Sequence, residues 1–518
     1  MSNVLLPKTI SLLSNSHCLL DEPPRKCLND VLSQTIISPL LPKTVEFGDN
    51  PYLIGPHEPI RQELDRPELQ CLGEVPKDFS GIYLRNGPNQ RFAPFGLHHW
   101  FDGDGMIHSA QFKEGEVSYR NKWIKTKGLE KEFDAGKSIW PGLMDSPNRD
   151  LKTSWGSDLW LKDNSNTDIS IHAGKAISTF YQCGDAYALD PVSLDTLGTV
   201  DLESKGARLM SAHCMNDEAT GDLLFFDYAV KPPYMTYGVM NKNSELVNFT
   251  PIELPGARLP HSMAFTPNYS ILMDLPMFWD PLLLEKDIHK VTFYPEMQSR
   301  FGILKRMSSG ETIRWFDADP CYIYHIINSW EEGEEVILDV CRMSTPVPSK
   351  EVRQRLSGPY GAMLAWLKLD ACYHRYRFNL TTGETKEERI EDLLSEFPVI
   401  NNRYGGLNSK YSYHVTLADT DVILFDGIIK MDSSTGTRQR YNFPEGCYGS
   451  ELQFAPRDNS KAEDDGYLIS FVTNTESGKG EIQIFPAEDL TKGPLCRLIV
   501  PQQIPPGFHS SFVLPENL

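Results

Sequence analysis

The stretch Phe378-Asn379-Leu380-Thr381-Thr382-Gly383-Glu384 reads as a strand, a tight turn begun by Asn379, and a strand resuming after Gly383. Asn or Asp at such a point can fold its side chain back on the backbone ahead, and Gly supplies the left-handed conformation a tight reversal needs. The same grammar recurs at Leu189-Asp190-Pro191 running into Thr196-Leu197-Gly198, at Met240-Asn241-Lys242, and at Lys430-Met431-Asp432 with Thr435-Gly436-Thr437. Asp190 to Asn241 is 51 residues and Asn379 to Asp432 is 53. A period near fifty, with short strands between turns, is that of propeller blades. Ordinary hairpins at coincidental spacing are the competing reading.

Outward from these turns, from about Asn50 to the end, short runs rich in Val, Ile, Tyr, Phe and Trp alternate with Gly, Asp, Asn and Pro. That pattern predicts an all-β fold. The chain has room for seven or more units of the repeat. Short helices are expected over 281–290, 349–356 and 362–369. Residues 1–49 read as an N-terminal extension, expected to be poorly ordered, before a single domain over 50–518. The opening MSNVLLPKTISLLSNSHCLL lacks the charged start of a secretory signal, and Pro7 interrupts its apolar run.

A formal net charge of −20, with no compensating basic patch, argues against a nucleic-acid partner. No run approaches the ~20 apolar residues that span a bilayer. Ten cysteines without Cys-x-x-Cys spacing suit reduced thiols. An intracellular chain is expected, cytoplasmic or peripheral to a membrane, or plastid if the N-terminal segment is a transit peptide.

The dense stretch HHWFDGDGMIH (98–108) looks like a metal site, yet counting a calcium loop from Asp102 puts Met106 at position 5 and Lys113 at position 12, where oxygen ligands are required. Strand, tight turn and strand is the expectation there. Four other histidines share a context at the ends of apolar runs: Ser-Ala-His213, Leu-Pro-His261, Ile-Tyr-His325 and Gly-Phe-His509. Their separations are 48, 64 and 184 residues, about one, one, and three to four blades. One His per blade, each on the strand nearest the axis, would converge on one point. An all-imidazole set is neutral and of borderline softness, suiting Fe, Cu, Ni or Zn. A ligating His donates its other ring N–H to a carboxylate or carbonyl, and Glu396 and Glu451 interrupt apolar runs as candidate partners.

These residues, with Val75–Asn89, HHWFDGDGMIH, Pro232–Tyr237, Met273–Met277, Ile313–Phe316 and Glu463–Tyr467, resemble the carotenoid cleavage dioxygenase family, which includes apocarotenoid and stilbene cleavers and retinoid isomerohydrolases. The likeness spans about residues 70 to 515. It implies a seven-bladed β-propeller with helices and loops capping one face. It also implies one Fe(II) per chain held by His213, His261, His325 and His509, with Glu396 and Glu451 behind two of them. The third supporting glutamate of the family pattern aligns with Gln182, whose carbonyl is expected to accept the ring N–H of His261 without bringing a charge. Thr167 matches a position near the open coordination site. Tyr181, Phe278 and Phe397 neighbour matched motifs as tentative substrate-lining residues. The implied reaction adds O2 across a C=C bond of a lipophilic polyene, a carotenoid or apocarotenoid, to give two carbonyl products. Stilbene cleavage, which needs a Tyr and Lys gripping a phenol (Lys131 is the nearest candidate), and retinoid-type isomerisation are the alternatives. The segment from Tyr360 to Leu369 is read as a lid, a membrane-contacting patch or a buried helix.

Overall fold

The computed structural model describes residues 50–518 apart from 95, 146–149, 152, 287, 349–355, 357–359, 365, 366 and 368. The N-terminal extension and most of the helix expected over 349–356 lie outside the described residues.

Seven antiparallel sheets follow one another along the chain as blades. Blade 1 runs from inner strand Asp168–His172 to outer strand Thr196–Thr199, blade 2 from Met215–Asp217 to Leu246–Ile252, and blade 3 from Ala264–Phe265 to Arg314–Ala318. Blade 4 runs from Tyr322–Glu332 to Thr385–Arg389, and blade 5 from Ser395–Val399 to Thr437–Asn442. Blade 6 begins at Gln453–Pro456 and borrows Gln70–Gly73 as its outermost strand. Blade 7 takes its inner strand, Ser510–Val513, from the C-terminus and pairs it with Gly81–Pro88 from the N-terminal part, Arg85 opposite Ser510 and Ile82 opposite Val513. The first and last parts of the described chain are therefore stitched together in blade 7, which closes the ring between the last blade and the first.

The four turns singled out in the sequence occupy one topological position, joining the third and outermost strands of blades 1, 2, 4 and 5. In each, the Asx side chain does what the sequence predicts. Asn379 Oδ1 accepts from Thr381 N at 2.9 Å and Thr382 N at 2.8 Å, and Asp432 Oδ1 from Ser434 N at 3.0 Å. Asp190 and Asn241 act likewise. Middle strands pack against a blade on either face and are almost wholly buried, as in Asp222–Tyr228, where only Asp222 and Asp227 break the apolar run; outer strands such as Thr385–Arg389 meet water and read Thr-Lys-Glu-Glu-Arg. Phe301, Tyr376, Phe378, Val415 and Phe425 are among the fully buried side chains of the largest core cluster.

Because neighbouring strands alternate in direction, the loop between second and third strands of each blade and the link to the next blade emerge on one face. All three described α-helices lie there: α1 (Lys127–Ala135), α2 (Pro281–Leu284) and α3 (Gly361–Leu364). They form the expected cap. Helix α1 was missed by the sequence reading although its ends are marked: Thr126 Oγ1 accepts from Leu129 N at 3.0 Å, and Gly136 closes it at φ 66°. Helix α2 is one turn instead of ten residues, because the chain beyond it returns as Val291–Phe293 to pair with Met277–Trp279. In the segment from Tyr360 to Leu369, Met363, Leu367 and Leu369 are buried in the core, but among its described residues only Gly361–Leu364 is helical, one turn of the helix expected over 362–369. HHWFDGDGMIH also departs from expectation. Trp100–Asp102 is a 3-10 turn capped by His99, with Asp102 Oδ2 accepting from His99 N at 2.8 Å, and only Gly105–Lys113 is a strand. No described helix is long and apolar enough to cross a membrane.

Candidate metal centre

Each blade delivers one residue to the axis at the cap-side end of its inner strand. In chain order these are Thr167, His213, His261, His325, Glu396, Glu451 and His509. Several sit where the ladder is interrupted. The pairing of Tyr322–Glu332 shifts register between Ile323 and Ile326, freeing Tyr324 and His325, and that of Ser395–Val399 shifts between Glu396 and Val399. Such bulges re-aim side chains. His213 adopts φ 65°, uncommon for a residue with a side chain, and is held there by its N–H donating to Asp168 Oδ2 at 2.9 Å.

The four histidines converge. His213 has its ring centroid 4.5 Å from those of His261 and His509 and 5.3 Å from that of His325. His325 and His509 are 4.8 Å apart, His261 and His325 5.5 Å. Ligand atoms of His213, His325 and His509 lie within 4.8 Å of one another. His261 completes the cluster by ring contact but stands outside that tightest triad.

Two of the rings are oriented by carboxylates. His325 Nδ1 meets Glu396 Oε2 at 2.5 Å, and His509 Nδ1 meets Glu451 Oε1 at 2.9 Å. With Nδ1 engaged, Nε2 is left for the axis. The Nε2 atoms of His213 and His325 are buried and have no hydrogen-bond partner. Buried polar atoms are nearly always satisfied, so orphaned imidazole nitrogens facing one another fit a borderline-soft metal cation. Burial, followed by the neighbouring imidazoles, holds His213, His261 and His325 well below the usual histidine range. Burial would lower His509 too, but the charge and hydrogen bond of Glu451 carry it above that range. Burial pushes Glu396 up to about 8.

Gln182 is buried on the cap side, but its side-chain oxygen lies 3.5 Å from Ser157 Oγ, and no described hydrogen bond joins it to His261. The expected contact is therefore absent. Ser157 also donates to the Gln182 main-chain oxygen at 3.0 Å, which fixes Gln182 toward Ser157, while His261 packs edge-on against Tyr324 at 4.6 Å. Thr167 ties the site together: its carbonyl accepts from His509 N at 3.2 Å, and its hydroxyl donates to Asn166 and accepts from Tyr181 N.

Of the expected aromatics, Phe397 stands 4.6 Å from His325 and 5.0 Å from His509, and Tyr181 5.9 Å from His261. Phe278 does not join them. It stacks on Tyr294 at 4.8 Å beneath the Arg258 guanidinium, lining an outer cleft, because the insertion that carries it folds out as a separate hairpin. Lys131 is likewise on the exposed face of α1, its Nζ 6.0 Å from the Trp140 ring. The sequence reading missed Asp168, Tyr324, Phe101 and Phe508. Tyr324 and Phe508 each directly precede a clustered His, a signal available in Ile-Tyr-His and Gly-Phe-His. Phe101, from HHWFDGDGMIH, packs on Tyr181 at 5.0 Å and Phe508 at 5.3 Å, which is how that stretch reaches the site.

A propeller with histidines from four blades meeting on its axis, two of them backed by glutamates, defines a candidate axial metal centre beneath an aromatic cap. The family model described as retinal pigment epithelial membrane protein matches residues 57–514. The chain is 33% identical over 507 residues to carotenoid 9,10(9',10')-cleavage dioxygenase 1 of Arabidopsis thaliana, covering 90% of both chains. It is 28% identical to isoeugenol monooxygenase of Pseudomonas nitroreducens, covering 90% of this chain and 98% of that one. The crystal structure of Pseudomonas brassicacearum lignostilbene dioxygenase shares the fold, with a TM-score of 0.78 at 21% identity over 91% of this chain and 100% of that one. The chain belongs to the retinal pigment epithelial membrane protein family, that of the carotenoid cleavage dioxygenases.

Proposed function

We propose that this chain is a non-haem iron dioxygenase that binds one Fe(II) through His213, His261, His325 and His509 and cleaves a C=C bond of a carotenoid or apocarotenoid with O2, giving two carbonyl products. The observation that carries the reading is the convergence of those imidazoles, with the Nε2 atoms of His213 and His325 orphaned, beneath aromatic side chains. Likeness to the Arabidopsis dioxygenase over most of both chains supports the substrate class.

Iron bound there would supply O2 activation beside the double bond. The protein's own part is positional. Glu396 and Glu451 hold the Nδ1 side of His325 and His509, which fixes tautomer and ring plane. Asp168 fixes the strained backbone of His213. Phe397, Tyr324, Tyr181 and Phe508 give a conjugated chain flat surfaces to lie against and keep water from the reacting bond. No acid or base is needed: Asp168 and Glu451 are engaged through both oxygens, and Glu396 through the one that faces His325.

The likeness to isoeugenol monooxygenase favours a second reading, an aryl alkene as substrate. Aerobic incubation of Fe(II)-loaded protein with carotenoids, apocarotenoids, stilbenes and isoeugenol, with O2 uptake and product masses as readouts, tests both. Two carbonyl fragments from a polyene are expected. No cleavage of any compound by iron-loaded protein would overturn the proposal, and aryl aldehydes alone would replace it with the second reading.

A further inference from the structure

Below the histidines, on the side away from the cap, lies a cavity of 220 Å³. Its walls include His213, His325 and His509 at the buried end and Glu218, Asn402 and Gly405 at the other. Glu218 lies in the turn between the first two strands of blade 2, and Asn402 and Gly405 in the same connection of blade 5. Those connections emerge on the face opposite the cap, and Glu218 and Asn402 are exposed. The cavity is therefore an axial shaft from solvent to the histidines. Three carboxylates line it, Asp168, Glu218 and Glu451, and among the described residues no lysine or arginine does. Ser170, Asn216, Ser262, Asn328 and Gln453 add polar side chains along the way. The volume far exceeds the ~10–15 Å³ one ordered water needs, and a polar wall keeps such water.

From these features we infer that the shaft is the loading route of the metal: a hydrated divalent cation enters at Glu218, on the face opposite the substrate's cap, and sheds water onto the histidines. This rests on reading the histidines as a metal centre. A hydrated cation loses several kcal/mol on entering an apolar passage without partners. On the cap side Phe397, Tyr324 and Tyr181 lie against the rings, and none of the described cavities there is lined by a clustered histidine: the one beside Tyr181 and Phe101 holds 30 Å³, and the larger cleft at Phe278 opens away from the axis. The shaft offers carboxylates that focus cations toward it. Metal and lipophilic substrate thus reach the axis from opposite faces, and loading does not require the cap to open.

The test uses full-length protein stripped by chelator and anaerobic Co2+ as probe, its imidazole-ligand absorption followed in time. Asn216→Phe should narrow the shaft, since Asn216 is half-buried in its wall. A plug raises the barrier without altering either end state, so uptake and chelator stripping should slow together by ~10-fold or more at unchanged final stoichiometry. Glu218→Lys, at an exposed position that spares the fold, should slow uptake by ~10-fold at low salt, the gap closing as salt rises. Rates equal to the parent's in both variants would overturn the shaft as the route and leave the metal centre standing. Failure of the parent to bind Co2+ would remove the metal centre itself, and the route with it.

Discussion

Glu451 and Glu396 both face a histidine, yet exchanging each for glutamine should have unequal consequences. Glu451 uses both oxygens: Oε1 faces His509 Nδ1 at 2.9 Å, and Oε2 accepts from Ser510 N at 2.6 Å and Ser510 Oγ at 2.9 Å. A glutamine there has one acceptor oxygen. If that oxygen serves the Ser510 N–H, the amide NH2 faces His509 and drives its proton to Nε2, the atom aimed at the axis. If it serves His509, the NH2 confronts the backbone N–H. Glu396 uses one oxygen for both tasks, Oε2 toward His325 Nδ1 at 2.5 Å and from Phe397 N at 2.9 Å, while its Oε1 has no partner. Glu396→Gln can keep its oxygen at the first position and turn the NH2 to the second. Glu451→Gln should therefore weaken metal binding by ~10–100-fold, the range for a lost outer partner, which is ~1.4–2.7 kcal/mol. Glu396, pushed up to about 8 by burial, carries little charge near neutral pH, so Glu396→Gln should cost no more than ~1 kcal/mol, or about 5-fold. Anaerobic Co2+ titration of the stripped proteins reads both constants. Equal losses, or a larger one at Glu396, would refute the reasoning.

Three further outcomes follow from buried charge. Lys162 Nζ pairs with Asp104 and, at 2.7 Å, with Glu132, all buried where α1 meets the blade 7 loop, so Lys162→Met should destabilise by ~3–5 kcal/mol in urea unfolding. His414, fully buried against Ser412 Oγ at 2.9 Å, is lowered by burial from 6.5 to about 3. The unfolded chain then binds the extra proton between those values, so stability falls as pH drops through that window. At pH 4.5 the loss is about 3 kcal/mol, and His414→Gln should remove it; an unchanged acid sensitivity would count against the argument. Gln182→Glu should lower metal-free stability by ~1–3 kcal/mol, because among the described residues no cation is paired with that buried side chain, and should enlarge the rise in thermal midpoint on adding metal. The same rise in variant and parent would show that Gln182 does not sense the centre.

What was legible in the sequence was what repeats or is local. Asn379 and Asp432 bond to backbone two and three residues ahead, so their turn type and the blade period could be read from neighbours alone. The histidines were legible through that period: 48 and 64 residues carry the chain once around each of blades 2 and 3. The cap was not. Phe278 adjoins a matched motif, but the hairpin between Met277–Trp279 and Val291–Phe293 swings it into an outer cleft, and hairpin direction depends on packing against distant residues. Gln182 aligned with a supporting position, but Ser157, brought in from 25 residues away, turns its side chain elsewhere. Asp168 escaped notice because its role, accepting the His213 N–H, exists only once blades 1 and 2 stand side by side.

The long gap from His325 to His509 now has a structural reason. Blades 5 and 6 occupy it, and both contribute to the axis, through Glu396 and Glu451. Each carboxylate reaches sideways to the histidine of an adjoining blade, Glu396 back to blade 4 and Glu451 forward to blade 7. The ring thus divides into an arc of blades 4 to 7, where every axial residue is paired, and an arc of blades 2 and 3, where His213 and His261 have no carboxylate on their rings. A cation on the axis would be held by imidazoles of unequal donor strength. Within that weaker arc it is His261 that Tyr181 and Tyr324 cover, while Phe397 lies against His325 and His509, so His261 is the ligand that combines aromatic cover with a ring not tied to a carboxylate. Adjustment of the centre on substrate binding should therefore fall on His261, the imidazole outside the tight triad, and only slightly on His325 or His509, whose rings their glutamates hold in place.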